Sequence, residues 1–407
     1  MKQRALLFFV LSAIGVVFQS CSNCRKDSPS GFISENIRFA AGQYKLQTDL
    51  IEKSGQILDP KTFIDRKIRY VSREEWTSGF FPGSLWYLYS LTDDPRWRKL
   101  AWKYTEPLDS AKYLTSHHDV GFIIESSFGN GVRLGGYSEW KDVIVEAAKS
   151  LSTRFRPVAG VIQSWDTDRG WQSKRGWECP VIIDNMMNLQ LLFDATKYSG
   201  DSTFYRIAVS HADKTMENHF RQDYSCWHVV DYSLSDGSVR SKGTAQGYSD
   251  DSAWSRGQAW AIYGFTVCYR ETKNPKYLTL AEKAFDFVAN HPNLPEDGIP
   301  WWDLDAPPAP GVLRDASAAA IMASALYELS SCSRAEYYKG WADKIMKSLA
   351  GPDYRAVSGE NGNFILMHSV GSIPHNSEVD VPLNYADYYF LEALNRKKNL
   401  EQKGTLN

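Results

Sequence analysis

The feature that most constrains this chain is a turn that recurs along it. TDDPRW, SGDSTFY, TKNPKY and SCSRAEYY each separate two helix-like segments, and each puts an aromatic residue at the start of the second, at Trp97, Tyr205, Tyr277 and Tyr337. Apolar residues in the flanking segments return every three or four positions, the spacing of a helix face. The result is a weak internal repeat of helical hairpins at an irregular period. The first members begin near residues 80, 119, 184, 257 and 315, and LNYADYYFLEAL near 384 begins a last, unpaired one. The segment 40 to 55 supplies its partner, so that twelve helices close a ring. The first helices are apolar nearly all round, as inner helices are, and the second carry a polar face. Few runs alternate with period two. The expectation is an all-α fold, an α/α toroid of six hairpins. Its long connections, 153 to 183, 220 to 256 and 291 to 314, all enter inner helices from one end, so their unusual residues meet at one mouth.

A chain of 407 residues with 43% hydrophobic and 23% charged residues is compact and folded, and a net charge of -2 argues against nucleic acid as a general partner. Fourteen Trp and 22 Tyr are enough both to fill a core and to form platforms for a ligand. The start, MKQRALLFFVLSAIGVVFQSC, has the layout of an export signal and an apolar run too short to span a bilayer. Its Ser20-Cys21 end resembles a lipoprotein signal, with Cys21 as the lipidated residue. This divides the chain into a signal (1 to 20), a tether (21 to 35), one catalytic barrel (36 to 396) and a polar tail (397 to 407). It also places the protein in the periplasm of a Gram-negative bacterium, held to a membrane only by that anchor. The cysteines at 24, 179, 226, 268 and 332 form neither a disulfide framework nor a paired metal motif.

Aromatic residues stand beside carboxylates, amides or Arg in WTSGFFPG (76 to 83), SHHDVGF (116 to 122), IQSWDTDRGW (162 to 171), SCWHVVDYS (225 to 233), AQGYSDDSAWSRGQAW (245 to 260) and PWWDLDAP (300 to 307). Such stretches at matching positions in the hairpins suit a carbohydrate pocket. Asp119 and Asp184 each fall at the first turn of an inner helix. Each is either an N-cap or one of two converging carboxylates that share proton chemistry. Asp194, ten residues beyond Asp184, reads as an ordinary residue near the opposite end. His118 and His228 lack any accompanying metal motif, so hydrogen bonding at the pocket is expected of them, while His117 reads as structural. No metal and no cofactor are expected.

SHHDVGF, PVIIDNMMNL, WHVVDY, QGYSDDSAWSRGQAWAIYGF and VDVPLNYADYYFLEAL resemble the motifs of glycoside hydrolase family 88, the unsaturated glucuronyl hydrolases, over about residues 70 to 395. The resemblance implies an α/α barrel acting on the unsaturated uronic acid that polysaccharide lyases leave at non-reducing ends. It makes Asp184 the general acid and base and Asp119 its assistant. His118, His228, Gln246, Arg256 and Trp260 line the subsite in such enzymes, and Trp76 with Trp165 or Trp171 supplies stacking rings. Arg256 either meets the substrate carboxylate or pairs with Asp250 or Asp251. The implied chemistry is hydration of a vinyl ether, with a proton to C4 and water to C5. Unsaturated disaccharides and short oligosaccharides of chondroitin, hyaluronan or heparin type are the expected partners. Relatives that accept sulfated sugars share a Ser and Lys cluster near the C-terminus, whereas this chain has HSVGSIPHNSE, with Ser369, Ser372 and His375 but no nearby Lys. Two other readings are an unsaturated rhamnogalacturonyl hydrolase and a surface glycan-binding lipoprotein without turnover.

Overall fold

The computed structural model describes residues 31 to 403 except 308 and 310. Cys21, Cys24, the export signal and most of the tether lie outside the described residues. Among the described residues, twelve helices alternate between an inner and an outer ring. The inner ones are α2 (Phe80–Thr92), α4, α6 (Leu189–Ser199), α8 (Ser255–Thr272), α10 (Ala316–Ser330) and α12 (Asn384–Lys403). Helix α4 runs through Val120–Ile124, a π-helical turn Glu125–Gly129 and Asn130–Arg133. The outer ones are α1 (Gly31–Ser54), α3 (Pro95–Thr105), α5 (Lys141–Ser152), α7 (Ser202–Asn218), α9 (Pro275–Ala289) and α11 (Ala335–Leu349). Helix α12 packs on α2 and closes the ring.

Burial follows the ring. Every residue of α10 is buried, whereas α11 buries only the stripe Tyr338, Ala342, Ile345, Met346 and Leu349. Three of the four recurring turns share one chemistry; the fourth enters its outer helix through a left-handed Arg334 with no side-chain cap. A left-handed residue ends the inner helix at Asp93, Gly200 and Lys273, and the next residue, Asp94, Asp201 or Asn274, caps the outer helix by accepting from the N–H two positions on. The ends of the barrel differ from the expected boundaries. Helix α1 begins at Gly31, inside the segment read as a tether, and α12 continues into the segment read as a polar tail.

Strands are more numerous than the sequence suggested, and they sit on the connections. Four small antiparallel sheets are formed by β1 (Asp59–Ile64) with β2 (Lys67–Val71), β3 (Phe155–Arg156) with β4 (Val161–Ile162), β5 (Cys179–Ile182) with β6 (Val229–Tyr232) and β7 (Val239–Gly243), and β8 (Ser369–Ser372) with β9 (Ser377–Val381). These short ladders satisfy the backbone of long connections that pass over buried side chains.

Candidate active site

Asp184 is placed by one sheet and two close contacts. The pairing of β5 with β6 sets Ile182 opposite Val229, and the Ile183 N–H donates to the His228 carbonyl at 3.0 Å, which brings His228 beside Asp184. The chain then turns through a 3-10 segment, Ile183–Asn188, before α6. Gly121 of α4 and Gly264 of α8 lie against this turn. A Cβ on Gly121 would come within 2.4 Å of Asn188 Oδ1, and one on Gly264 within 2.4 Å of Met186 Cβ. Only glycine permits these approaches. The Phe122 N–H, three residues beyond Asp119, donates to Asn188 Oδ1 at 3.0 Å and ties α4 to the Asp184 turn.

Neither aspartate is a cap. The side chains of Asp119, at the start of α4, and of Asp184 accept no capping hydrogen bond. Instead each faces a histidine whose tautomer the network fixes. Asn188 uses Oδ1 on Phe122, so its Nδ2 donates to His118 Nδ1 at 3.3 Å. The proton of a neutral ring therefore sits on Nε2, 3.2 Å from Asp119 Oδ1. At His228, Nδ1 accepts from the Ala245 and Gln246 N–H groups at 3.0 and 3.2 Å, so Nε2–H faces Asp184 Oδ2 at 3.5 Å. Burial pushes His118 down from its ordinary value, against the pull of Asp119. Burial also pushes the Asp119 carboxyl up, but His118, His117 and Arg154 outweigh it and hold Asp119 below the usual carboxylate range. Asp184 Oδ2 is buried and has no hydrogen-bond partner.

Both carboxylates line a cavity of about 260 Å³ at the mouth, with Trp76, His118, Trp165, Trp171, Gln246, Arg256, Ser372 and His375 among its walls. Trp165 and Trp171 both reach it and meet edge to face at 5.0 Å, so the choice between them dissolves. A larger cavity, about 950 Å³, lies at the opposite end among the C-termini of inner helices. Its charges are largely paired with one another, Arg133 with Glu125 and Asp194 and Arg270 with Glu271 and Glu328. The smaller cavity, where two carboxylates that face histidines meet aromatic walls, is the candidate site.

A relative from Formosa agariphila described as an unsaturated glucuronyl hydrolase is 47% identical over 334 residues, 82% of each chain. This chain belongs to the unsaturated glucuronyl hydrolases, glycoside hydrolase family 88. It is an enzyme, a glycoside hydrolase. A solved unsaturated glucuronyl hydrolase specific for heparin superposes with a TM-score of 0.86 at 40% identity, covering 91% of this chain and 98% of that one. The unsaturated chondroitin disaccharide hydrolase of Streptococcus agalactiae is 31% identical over 346 residues, 83% of this chain and 84% of that protein. No family model matches the chain.

Some expectations for this family member need correction. Trp260 is fully buried behind Phe122, 5.3 Å between ring centroids, and does not line the cavity. Ser369 is likewise buried and apart from it, and His228 is buried behind Asp184 and reaches the cavity only through that carboxylate. Arg256 pairs with neither Asp250 nor Asp251. Its Nη1 donates to Asp315 at 3.3 Å and to the Val370 carbonyl, and its Nη2 donates to the Gly371 carbonyl at 2.6 Å. Its guanidinium therefore pins β8 against α10, because a buried charge needs such partners. The stretch 300 to 307 builds a wall instead of lining one: Asp303 accepts from the Tyr248 N–H and the Ser252 hydroxyl, and Asp305 from the Ala253 N–H, shaping the loop that carries Gln246. Asp194 is not ordinary, since it is buried between Arg133 at 3.0 Å and Lys197 at 2.9 Å.

The cavity also holds residues the sequence did not reveal, Lys61, Gln172, Ser377, Glu378 and Tyr385 among them. Lys61 of β1 bridges Glu75 at 2.9 Å and Glu378 of β9 at 2.5 Å. A hairpin more than 300 residues earlier thus brings a lysine beside HSVGSIPHNSE, and no local pattern marks that pairing.

Proposed function

We propose that this hydrolase removes the 4,5-unsaturated uronic acid from the non-reducing end of lyase-generated glycosaminoglycan oligosaccharides, of chondroitin, hyaluronan or heparin type, with Asp184 as general acid and then base. The carrying observation is the division between the two carboxylates. Asp119 is held ionised by its histidines and Arg154, and Asp184 lines the aromatic pocket while its buried Oδ2 has no hydrogen-bond partner. Asp184 delivers a proton to C4 of the C4=C5 double bond, and positive charge develops at C5 and the ring oxygen, where the Asp119 carboxylate stabilises it. The Asp184 carboxylate then takes a proton from water as its oxygen bonds to C5. The hemiketal opens by breaking C5–O5. C1 becomes a hemiacetal and releases the next sugar as an alcohol. His118 and His228 present fixed N–H groups to the two acids, and Trp76, Trp165 and Trp171 offer ring faces to the sugars. Ser372 and His375, joined at 2.8 Å, meet the second sugar.

The test is loss of the ultraviolet absorbance of the conjugated double bond on unsaturated glucuronyl disaccharides, with a rhamnogalacturonyl substrate alongside. Asp184→Asn is expected to lose about 10²- to 10⁴-fold in kcat with the fold intact. Near-wild-type turnover by that variant would remove Asp184 from this role, and binding without any loss of absorbance by the wild type would make the protein a glycan-binding one. We also assign it to the periplasm, anchored through a lipid on Cys21. Among the described residues no helix is long and apolar enough to cross a membrane. Mass spectrometry of the mature N-terminus from cells, compared with Cys21→Ala, tests the anchor.

A further inference from the structure

A second histidine touches Asp119 and takes no part in the proton transfers above. His117 precedes α4, forms a backbone bridge with Trp165 and has a side chain 23% exposed. Its Nε2 lies 3.2 Å from the Glu74 carbonyl, which can only accept, so Nε2 carries a proton. Its Nδ1 lies 3.2 Å from two groups of Asp119 at once, the backbone N–H and Oδ2. These make opposite demands. In the neutral ring the Nδ1 lone pair accepts the N–H and faces Oδ2 with no proton between them. In the cation Nδ1–H donates to Oδ2.

We infer that His117 is a positioning residue that acts through Asp119: as an imidazolium it binds Oδ2 while His118 faces Oδ1, and so keeps Asp119 ionised beside the proton donor. This rests on the reaction proposed above. The charged and titratable groups around the ring are few. His118 adjoins it in the same segment, and its tautomer is fixed as neutral. Arg154, beyond α5, is engaged by Asp166 at 3.0 Å and by the Thr115 carbonyl. Glu74 offers only its backbone. Asp119 is therefore the carboxylate that decides the ring's charge. Burial opposes that charge, but Asp119 and the Glu74 carbonyl outweigh it and push His117 above its ordinary value.

The sign follows. Across the acid limb of the rate profile, where Asp119 must lose its proton, His117 is charged and favours that loss. His117→Ala should move the acid limb of kcat/KM up by about one pH unit. His117→Asn sets an amide Nδ2 where Nδ1 was, a donor that does not titrate, and should move the limb by less than half as much. By reciprocity, an NMR titration of the His117 ring in Asp119→Asn should show its pKa fall by about one unit. If both His117 variants scale the rate down with the acid limb unmoved, or if the ring titrates identically with and without the Asp119 carboxylate, the inference is wrong. Those results leave the Asp184 assignment standing, because Asp184→Asn is tested separately.

Discussion

Replacing Arg256 with Met separates a framework arginine from a substrate-binding one. The side chain is 2% exposed, and its guanidinium lies 4.5 Å over Trp254. Met keeps much of that packing but leaves Asp315 and the carbonyls of Val370 and Gly371 without their donor. Removing one partner of a buried ion pair costs about 3–5 kcal/mol. Asp315 keeps the Ser317 N–H and hydroxyl at 3.0 and 2.6 Å, which favours the lower end, about 3 kcal/mol. Urea unfolding should show that loss, and adding Asp315→Asn should recover about 1–2 kcal/mol by removing the stranded charge. Because β8 leads into Ser372 and His375, KM should rise as well, and equally for an unsaturated uronate and its methyl ester. A stability within about 0.5 kcal/mol of wild type, together with a KM defect that vanishes on the ester, would refute the framework role and make Arg256 a ligand of the substrate carboxylate.

Three further outcomes are expected. Burial pushes Glu125, beside Arg133 and Asp194, up from 4.5 to about 7. The folded state then binds more protons than the unfolded one between those values, so wild-type stability should fall relative to Glu125→Gln as pH rises from 4.5 to 7. Parallel denaturation curves across that window would contradict this. Trp171→Ala removes a ring that touches Trp165 and His375, at 5.0 and 4.8 Å, and should raise KM about three- to tenfold with a smaller change in kcat; the measurement is steady-state kinetics on a disaccharide. Gly121→Ala forces α4 away from the Asp184 turn and should cost about 1–3 kcal/mol by overpacking and at least about tenfold in kcat, while circular dichroism stays helical.

Much of this could be read from the sequence because the informative contacts are local. At three of its four occurrences the repeated turn is a left-handed residue followed by an Asp or Asn cap, and both preferences are written in adjacent residues. The aspartates at helix starts, with apolar runs behind them, likewise show in a short window. What stayed hidden depends on pairings between distant segments. Lys61 meets Glu378, Arg256 meets Asp315 and β8, and Asp194 meets Arg133 only once the ring has closed. Trp260 and Ser369 misled because a motif fixes the position of a residue along a helix or strand but not which neighbour covers it. His117 was passed over because its meaning lies in two distances to Asp119, not in its spacing.

The glycine contacts at Gly121 and Gly264 imply a separation of tasks within the enzyme. The two acids are spaced by inner helices pressed together in the barrel wall. The rim of the pocket, where the second sugar is proposed to lie, is built from Trp171, Gln172 and the β8–β9 hairpin, on connections that stand above that wall. Insertions or exchanges in the hairpin can therefore change which oligosaccharide is accepted without resetting the acid–acid geometry. A scaffold divided in this way can follow changing polysaccharides by altering its rim, with the proton chemistry inherited intact.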